Sequence, residues 1–499
     1  MSRGPSFAPH GTDASTRPRG AVRRIAVGAT IRHAPRAPLG AARRVAGGMA
    51  VVLAVLALAA ALLLATALAV LRAEPGGWSV GVPIGVPRSI TGDHLDLRRE
   101  LRLSVPALVR VATHPLGIRL LAGRRVATRV GLVEFRATAD GAGLLVRCAP
   151  CRLDAPSLAA RPIVLGSAEA SVQGADFGAW QGRLVLAGRG GAPVRATWSA
   201  RLGSGSGGHD GEIAFTADDQ PVRDWVSLFG DAVPEAARAE IAGTAGGTLR
   251  LSLPALEPTL VPRLAGLQVE GFGTEALVAA RPALPACARV PRANRAGPPA
   301  PFGAWLPRAV VAAEDQRFFE HPGWDLAEMA AAWASDRPDR PSHLDRDREA
   351  RRRGASTLTQ QLAKLVLVGD EPTVARKLRE LLAAAELERT LGKARILDLY
   401  LAIAPWGDGQ CGAEAAALHL FGRPAARLDA VEAAWLASLL RNPDALLDRA
   451  ARDASPDPRL VAIAAGLRVQ PSAARAALLA SARTFVPPPV VDVGRETPR

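Results

Sequence analysis

Three short stretches of this 499-residue chain hold side chains whose types and spacing suit acid–base and phosphate chemistry. Glu314 and Asp315 close the apolar run LPRAVVAAED, and Phe318, Phe319, His321 and Pro322-Gly323 follow. A carboxylate at the end of an apolar helix face is held partly out of water. That raises its proton affinity and suits it to general-base work. The same place suits a carboxylate that caps the next helix, Asp315 above all, and spacing leaves both readings open. Gly354-Ala355-Ser356-Thr357 precedes LTQQLAKLVLV. A glycine turn and a Ser or Thr cap predict a helix start there, with Gln360, Gln361 and Lys364 projecting from its first turns. Gln360 and Lys364 share a face. Amides and an ammonium at a helix start can bind phosphate, although a plain capped amphipathic helix reads the same way. In the third stretch Arg376 and Glu380 are i, i+4 neighbours on a helix predicted to run to about Leu391, with Lys377 between them. They fit a surface salt bridge, worth little, or a basic cluster for a diphosphate with a carboxylate positioned by it.

One tally sets this block apart. Of 62 Lys+Arg only three are lysines, Lys364, Lys377 and Lys393, and all lie between Val310 and Leu440. Lysine is a compact point charge that suits phosphate, where arginine is a planar fork.

These residues need elements to hold them. From Phe302 to about Arg449 apolar residues recur at three and four, the helical period. Residues 450–499 predict one or two Ala-rich helices and a Pro-containing tail. Upstream the texture differs. Residues 1–46 carry nine Arg against one Asp and read as a disordered basic tail. Met49–Leu71 is 23 residues without a charge, enough for about 34 Å of helix, and predicts an uncleaved transmembrane anchor within 47–72. The upstream arginines put the N-terminus in the cytoplasm and the rest outside, in the periplasm if the cell has two membranes. Residues 73–275 alternate short apolar segments (GIRLLAG, LLVRCAPCRL, GRLVLAGRGG, VRATWSARL, GEIAFTA) with Gly, Pro and Asp turns. That predicts an antiparallel β-rich extracytoplasmic domain with one helix near Pro221 to Phe229. It reads as a spacer or a docking domain for other proteins. Residues 276–300 read as an Ala/Pro linker. Cys148 and Cys151 suit a disulfide across a turn, not a redox centre, which would want a helix start after a strand. Cys287 and Cys411 could pair. The net charge of +15 sits mostly in the tail, and no nucleic-acid motif accompanies it.

Taken together, the block resembles glycosyltransferase family 51, the peptidoglycan glycosyltransferases, over about residues 301–445. E-D-x-x-F-x-x-H-x-G is met by Glu314, Asp315, Phe318, His321 and Gly323. G-x-S-T-[IL]-[ST]-Q-Q-L-x-K is met from Gly354 to Lys364, and R-K-x-x-E by Arg376, Lys377 and Glu380. KARILDLYL and WGDGQCGAEAAALHLFG follow in order, the latter in the wording of the monofunctional biosynthetic branch. The resemblance implies an all-α, lysozyme-like domain that polymerises lipid II into β-1,4-linked glycan with inversion. Glu314 would be the general base on the acceptor hydroxyl. Glu380 would assist the diphosphate leaving group, directly or through a divalent metal (Mg or Mn), with no organic cofactor. Lys364, Arg376 and Lys377 would hold the diphosphate. Gln361 would help place substrate, and Asp315, Phe318, His321, Ser356, Thr357, Gln360 and Arg423 would line the binding site. Partners implied are lipid II, the lipid-linked glycan, the membrane and cell-wall synthesis proteins. Two positions depart from the family pattern: Leu365 and Ala402 stand where Asn is usual. They motivate an alternative, a weak or inactive lipid II-binding scaffold. A second alternative, a glycan-cleaving enzyme on the same fold, has no use for the basic residues. A transpeptidase is excluded, because Gln361, Val374 and Thr390 stand three residues before the lysines where Ser is needed.

Overall fold

The alternating segments fold as predicted into a large antiparallel sheet, and the helical block packs against one end of it. The computed structural model describes residues 79–84, 99–175, 178–202, 211–253, 257–275, 277, 302–329, 356–452 and 457–488. The basic tail, the apolar stretch Met49–Leu71, nearly all of the linker and Gly354 lie outside the described residues. Among the described residues no helix is long and apolar enough to cross a membrane.

Strands β1 (Ser79–Ile84) and β2 (Arg99–Ser104) form a separate hairpin. Two helices follow, α1 (Val105–Thr113) and α2 (Pro115–Leu121). The main sheet has nine strands in the order β13-β12-β11-β10-β9-β8-β5-β4-β3. They are β3 (Arg125–Thr128), β4 (Gly131–Ala137), β5 (Gly143–Cys148), β8 (Ser167–Gly174), β9 (Ala179–Ala187), β10 (Val194–Leu202), β11 (Gly211–Pro221), β12 (Glu240–Leu253) and β13 (Glu257–Glu270). The chain meanders from one edge to the other. Among the described residues it leaves the sheet for the small hairpin β6 (Cys151–Leu153) and β7 (Ile163–Leu165), and again for a helical segment between β11 and β12. Cys148 and Cys151 are joined by a disulfide where β5 gives way to β6. Strand β10 keeps the alternation read from it: Arg195, Thr197 and Ser199 are exposed, Val194 and Ala200 buried.

The predicted helix appears as α3 (Val222–Ser227). One stretch differs from its reading. GIRLLAG looked like a strand but lies mostly in α2. Ser104 caps α1 and the His114 side chain caps α2, each with proline in the first turn. Those start signals outweigh a β reading in a stretch whose apolar spacing, Leu116 to Leu120, is helical.

The helical part comprises α4 (Leu306–Glu314), α5 (Leu358–Ala363), α6 (Val374–Ile403), α7 (Ala413–Phe421), α8 (Ala430–Ser438), α9 (Pro443–Arg452), α10 (Pro458–Gly466) and α11 (Ser472–Thr484). Helix α6 is broken at Gly392 (φ 71°), one residue past the predicted end. The core does not stop near Arg449. Leu460, Ile463 and Ala464 of α10 and Leu478 and Ala482 of α11 are buried with Leu306, Val310 and Leu436. The same cluster takes in Val269 of β13 and Phe272 just beyond it.

The sheet grips α6 along its length. Val374 and Ala375 N–H groups, orphans of a helix first turn, donate to Ser157 and Leu158 carbonyls at 3.0 and 2.9 Å. Arg379 pairs with Glu235, 2.9 Å from its Nε. Glu386, fully buried, accepts from the backbone N–H of Phe272 (2.8 Å), Gly273 (3.1 Å) and Thr274 (2.9 Å). Arg389 reaches Glu270 at 3.3 Å. Removing the Glu386 carboxylate would strand buried donors, each costing about 1–3 kcal/mol. Glu386→Ala is therefore expected to lower unfolding free energy by about 3 kcal/mol or more, and Glu386→Gln by less. Urea unfolding followed by circular dichroism measures both.

Candidate active site

The site grows from two helix ends and the start of a third. Helix α4 delivers Glu314 as its last residue, and Asp315 follows as C-cap. Asp315 does cap a helix, α5, and not the helical turn that opens at Leu326. Its Oδ2 accepts from the Leu358 N–H (3.0 Å), the first residue of α5. His321 Nε2 lies 2.9 and 3.0 Å from the two Asp315 oxygens, and Gly323 N–H donates to its Nδ1 (3.1 Å). The accepting Nδ1 assigns the ring proton to Nε2, directed at Asp315. Thr357 caps α5 reciprocally with Gln360 and donates its hydroxyl to the Gly323 carbonyl (2.7 Å). Gly323 itself has φ 100°, and a Cβ there would sit 2.7 Å from Glu388 Cγ. This web pins the 315–323 loop to the start of α5.

Its members are therefore scaffold more than lining. Phe318, read as a substrate contact, is 0% exposed and lies in the core with the Lys393 ammonium 4.5 Å from its ring centroid. Thr357 and Gln360 are buried by their capping, and Asp315 and His321 by each other. Arg423 pairs with Glu432 at the start of α8. In this structure the polar atoms and surfaces of these five are engaged with other parts of the protein, and the Arg423 guanidinium is engaged in an ion pair. Lys393 likewise pairs with Glu388 (2.8 Å) and leaves the phosphate reading to Lys364 and Lys377.

The remaining residues converge. Gln361 Nε2 donates to Glu314 Oε2 (3.1 Å) and lies 3.5 Å from the Ser356 carbonyl. Lys377 Nζ donates to Ser356 Oγ (2.5 Å) and to Glu380 Oε2 (2.7 Å). A continuous polar path thus joins the two carboxylates: Glu314, Gln361, Ser356, Lys377, Glu380. Glu380 has a side chain 1% exposed, and its other oxygen pairs with Arg376. Such a buried charge is tolerated only because both oxygens meet cations. Lys364 begins a π-helical turn (Lys364–Val368) and reaches Asp370 at 3.0 Å.

Burial, then the neighbouring charges of Arg376 and Lys364, push the Lys377 ammonium down to about 8. Burial also lowers Arg376, and Asp370 opposes it. Three cations face two carboxylates here, one of them the exposed Asp370, so the cluster keeps a positive excess suited to an anion. As a metal site it is poorly furnished. Both Glu380 oxygens are taken by cations, and among the described residues no three His, Cys, Asp or Glu side chains gather.

Two participants escaped the sequence reading. Arg459, on the first turn of α10, places Nη2 2.6 Å from Glu314 Oε1. The Asp457 cap and Pro458 announce that helix, but no local spacing says that its first turn meets Glu314. Tyr400, the only tyrosine, donates its hydroxyl to Gln361 Oε1 (2.7 Å) and so orients the amide toward Glu314. Being unique was its one signal. Burial and then the Glu314 charge hold its phenol well above the usual range, with Arg459 opposing.

Leu365 and Ala402 are the two departures from the family pattern. Leu365 packs half-buried against the core, and Ala402 is exposed near the end of α6.

Residues 294–463 match the family model described as Transglycosylase. The biosynthetic peptidoglycan transglycosylases of Nitrosomonas eutropha and Nitrosomonas europaea are 44% and 47% identical over 138 residues, 28% of this chain and 53% of each relative. That of Bordetella avium is 44% identical over 138 residues, 28% of this chain and 55% of its own. The chain thus spans just over half the length of these relatives. The helical segment is thus similar to the transglycosylase family, and it lies beside a nine-stranded sheet.

Two pH effects follow. Above about pH 8 Lys377 loses its proton, so affinity for inorganic pyrophosphate is expected to fall by up to about tenfold per pH unit. Lys377→Arg, which stays charged, flattens that profile; isothermal calorimetry at several pH values reads it. Tyr400 works in the opposite sense. Its folded proton affinity is raised, so the fold is favoured below pH 10 and loses that contribution as pH climbs beyond it. The phenolate absorbance of the single tyrosine should therefore rise together with loss of the circular dichroism signal, and not before it.

Proposed function

We propose that this protein is a peptidoglycan glycosyltransferase that extends a lipid-linked glycan with lipid II. The observation that carries the reading is the polar path from Glu314 to Glu380, with the cations Lys364, Arg376 and Lys377 gathered at its far end. In the reaction, Glu314 takes the proton from the acceptor sugar hydroxyl as that oxygen attacks the donor's anomeric carbon. The bond from that carbon to the diphosphate oxygen breaks, and the electron pair leaves with the diphosphate. Arg376, Lys377 and Lys364 meet the growing negative charge where it forms. A single displacement inverts the α-linked donor to a β-1,4 bond. Glu380 holds Arg376 and Lys377 in place and keeps their charges aimed together. A divalent metal enters no step, since the donor set does not suit one.

Attachment to the outer face of the inner membrane belongs to the same proposal. It rests on the apolar Met49–Leu71 stretch, the arginines before it and the lipid-linked substrate. The site offers nothing for transpeptidation. The names of the relatives support biosynthesis of cell wall over cleavage, and the cationic cluster has no task at a neutral glycosidic bond.

The test is polymerisation of labelled lipid II by the detergent-solubilised full chain. Wild type should form polymer, and Glu314→Gln should lose about 10²- to 10⁴-fold, the usual contribution of a general base. Glu380→Gln should also lose activity and should weaken pyrophosphate binding, because its cations lose their partner. Lipid II binding without polymer from wild type, in an assay where a relative is active, would leave a scaffold instead.

A further inference from the structure

Six of the ten large apolar side chains that stay exposed among the described residues fall within one 22-residue run: Val111, Leu116, Leu120, Val126, Val130 and Leu132. Leu116 and Leu120 are 61% and 70% exposed. Residues 102–133 also hold six arginines and no acid. Soluble surfaces seldom concentrate apolar groups in this way without a partner.

The run is built from α1, α2 and the β3–β4 hairpin. Helix α1 is strongly amphipathic yet has no buried residue. Helix α2 buries Gly117 and Ile118 and turns Leu116 and Leu120 outward. Strand β3 is the free edge of the sheet. Val126 stands opposite the buried Val133, and Leu132 opposite Ala127, so Val126 and Leu132 point to opposite faces of the hairpin. A rigid protein surface would meet one of those faces; a fluid one can take in a hairpin tip from both. Strand addition by a second copy is disfavoured, because β3 has only four residues and carries Arg125. Arg119, Arg124, Arg125 and Arg129 are all exposed around the apolar groups. Apolar groups ringed by arginine are the composition of an interfacial membrane contact.

We propose that residues 105–132 lie on an anionic phospholipid surface and seat the sheet domain there. The proposal rests on the membrane attachment argued above. The 33 residues between Leu71 and Val105 are ample to connect an anchor to a contact in the same bilayer. The sheet grips α6, so seating one edge of the sheet also fixes the height of the helix that carries Arg376, Lys377 and Glu380.

The experiment uses the full chain with Leu120→Cys carrying an environment-sensitive fluorophore. Among the described residues no cysteine is free, and labelling of the unsubstituted chain under the same conditions gives the background to subtract. Val261→Cys, on the opposite sheet edge, is the control. The protein is mixed with vesicles of phosphatidylcholine alone or of equimolar phosphatidylglycerol and phosphatidylcholine, then floated. Expected is a blue shift and protection from an aqueous quencher at Leu120, in the phosphatidylglycerol vesicles, and neither change at Val261. Changing Arg119, Arg124, Arg125 and Arg129 together to Gln should remove the protection, since each basic residue near an anionic surface contributes roughly a fivefold factor. Flotation with both vesicle types but a water-exposed Leu120 label overturns the contact and leaves the anchor standing. Flotation only with phosphatidylglycerol, lost at high salt and with Leu120 protected, keeps the contact and removes the anchor. No flotation with either overturns both. Protection in detergent that grows with protein concentration assigns the face to a second copy and also overturns the proposal.

Discussion

The site depends on burying one ionised carboxylate. Glu380 is almost without solvent, and an isolated charge there would cost several kcal/mol. Its own helix supplies the remedy: Arg376 and Lys377 stand one turn earlier and take one oxygen each. The arrangement works in both directions. The carboxylate stops two adjacent cations from swinging into solvent, and burial makes their charge worth more to an anion than it would be in water. Lys377 shows the strain of this. Burial and two like charges bring its titration near to the physiological range, so the cluster gains proton affinity when an anionic ligand arrives.

A site that relies on one helix inherits that helix's rigidity. The sheet domain supplies it at four places, from Ser157 and Leu158 at the first turn to Glu270 near Arg389. The strongest grip is Glu386, six residues beyond Glu380, whose carboxylate gathers three consecutive backbone donors from just beyond β13. A domain that merely spaced the helices from a membrane would have no need of such contacts. The added sheet is part of the frame that aims the cations.

Much of this was legible. The three lysines, the two carboxylates and the Gly323 turn lie in short patterns that local chemistry can read, and strands such as β10 show their period plainly. What could not be read was which polar groups spend themselves on each other. Asp315, Thr357 and Gln360 have the types of ligand-binding residues, but their partners are 34 to 43 residues away or across a capping box. Only the fold brings those together. Arg459 is the converse case, an ordinary arginine after a helix cap that the packing of α10 onto α4 turns toward Glu314.

That arginine bears on whether Glu314 can act as a base at all. Its two oxygens are held by Arg459 and by Gln361, and a carboxylate locked in an ion pair looks like structure and not like chemistry. Each oxygen, however, carries two lone pairs, and each here meets a single side-chain donor. One lone pair per oxygen is left for a substrate hydroxyl. Tyr400 fixes the Gln361 amide so that its NH₂ and not its oxygen faces Glu314. The two donors therefore fix the plane of the carboxylate and leave its proton-accepting capacity in place, as a positioned base requires. Leu365 and Ala402 disturb none of these contacts. Neither residue is a member of the hydrogen-bonded path from Glu314 to Glu380.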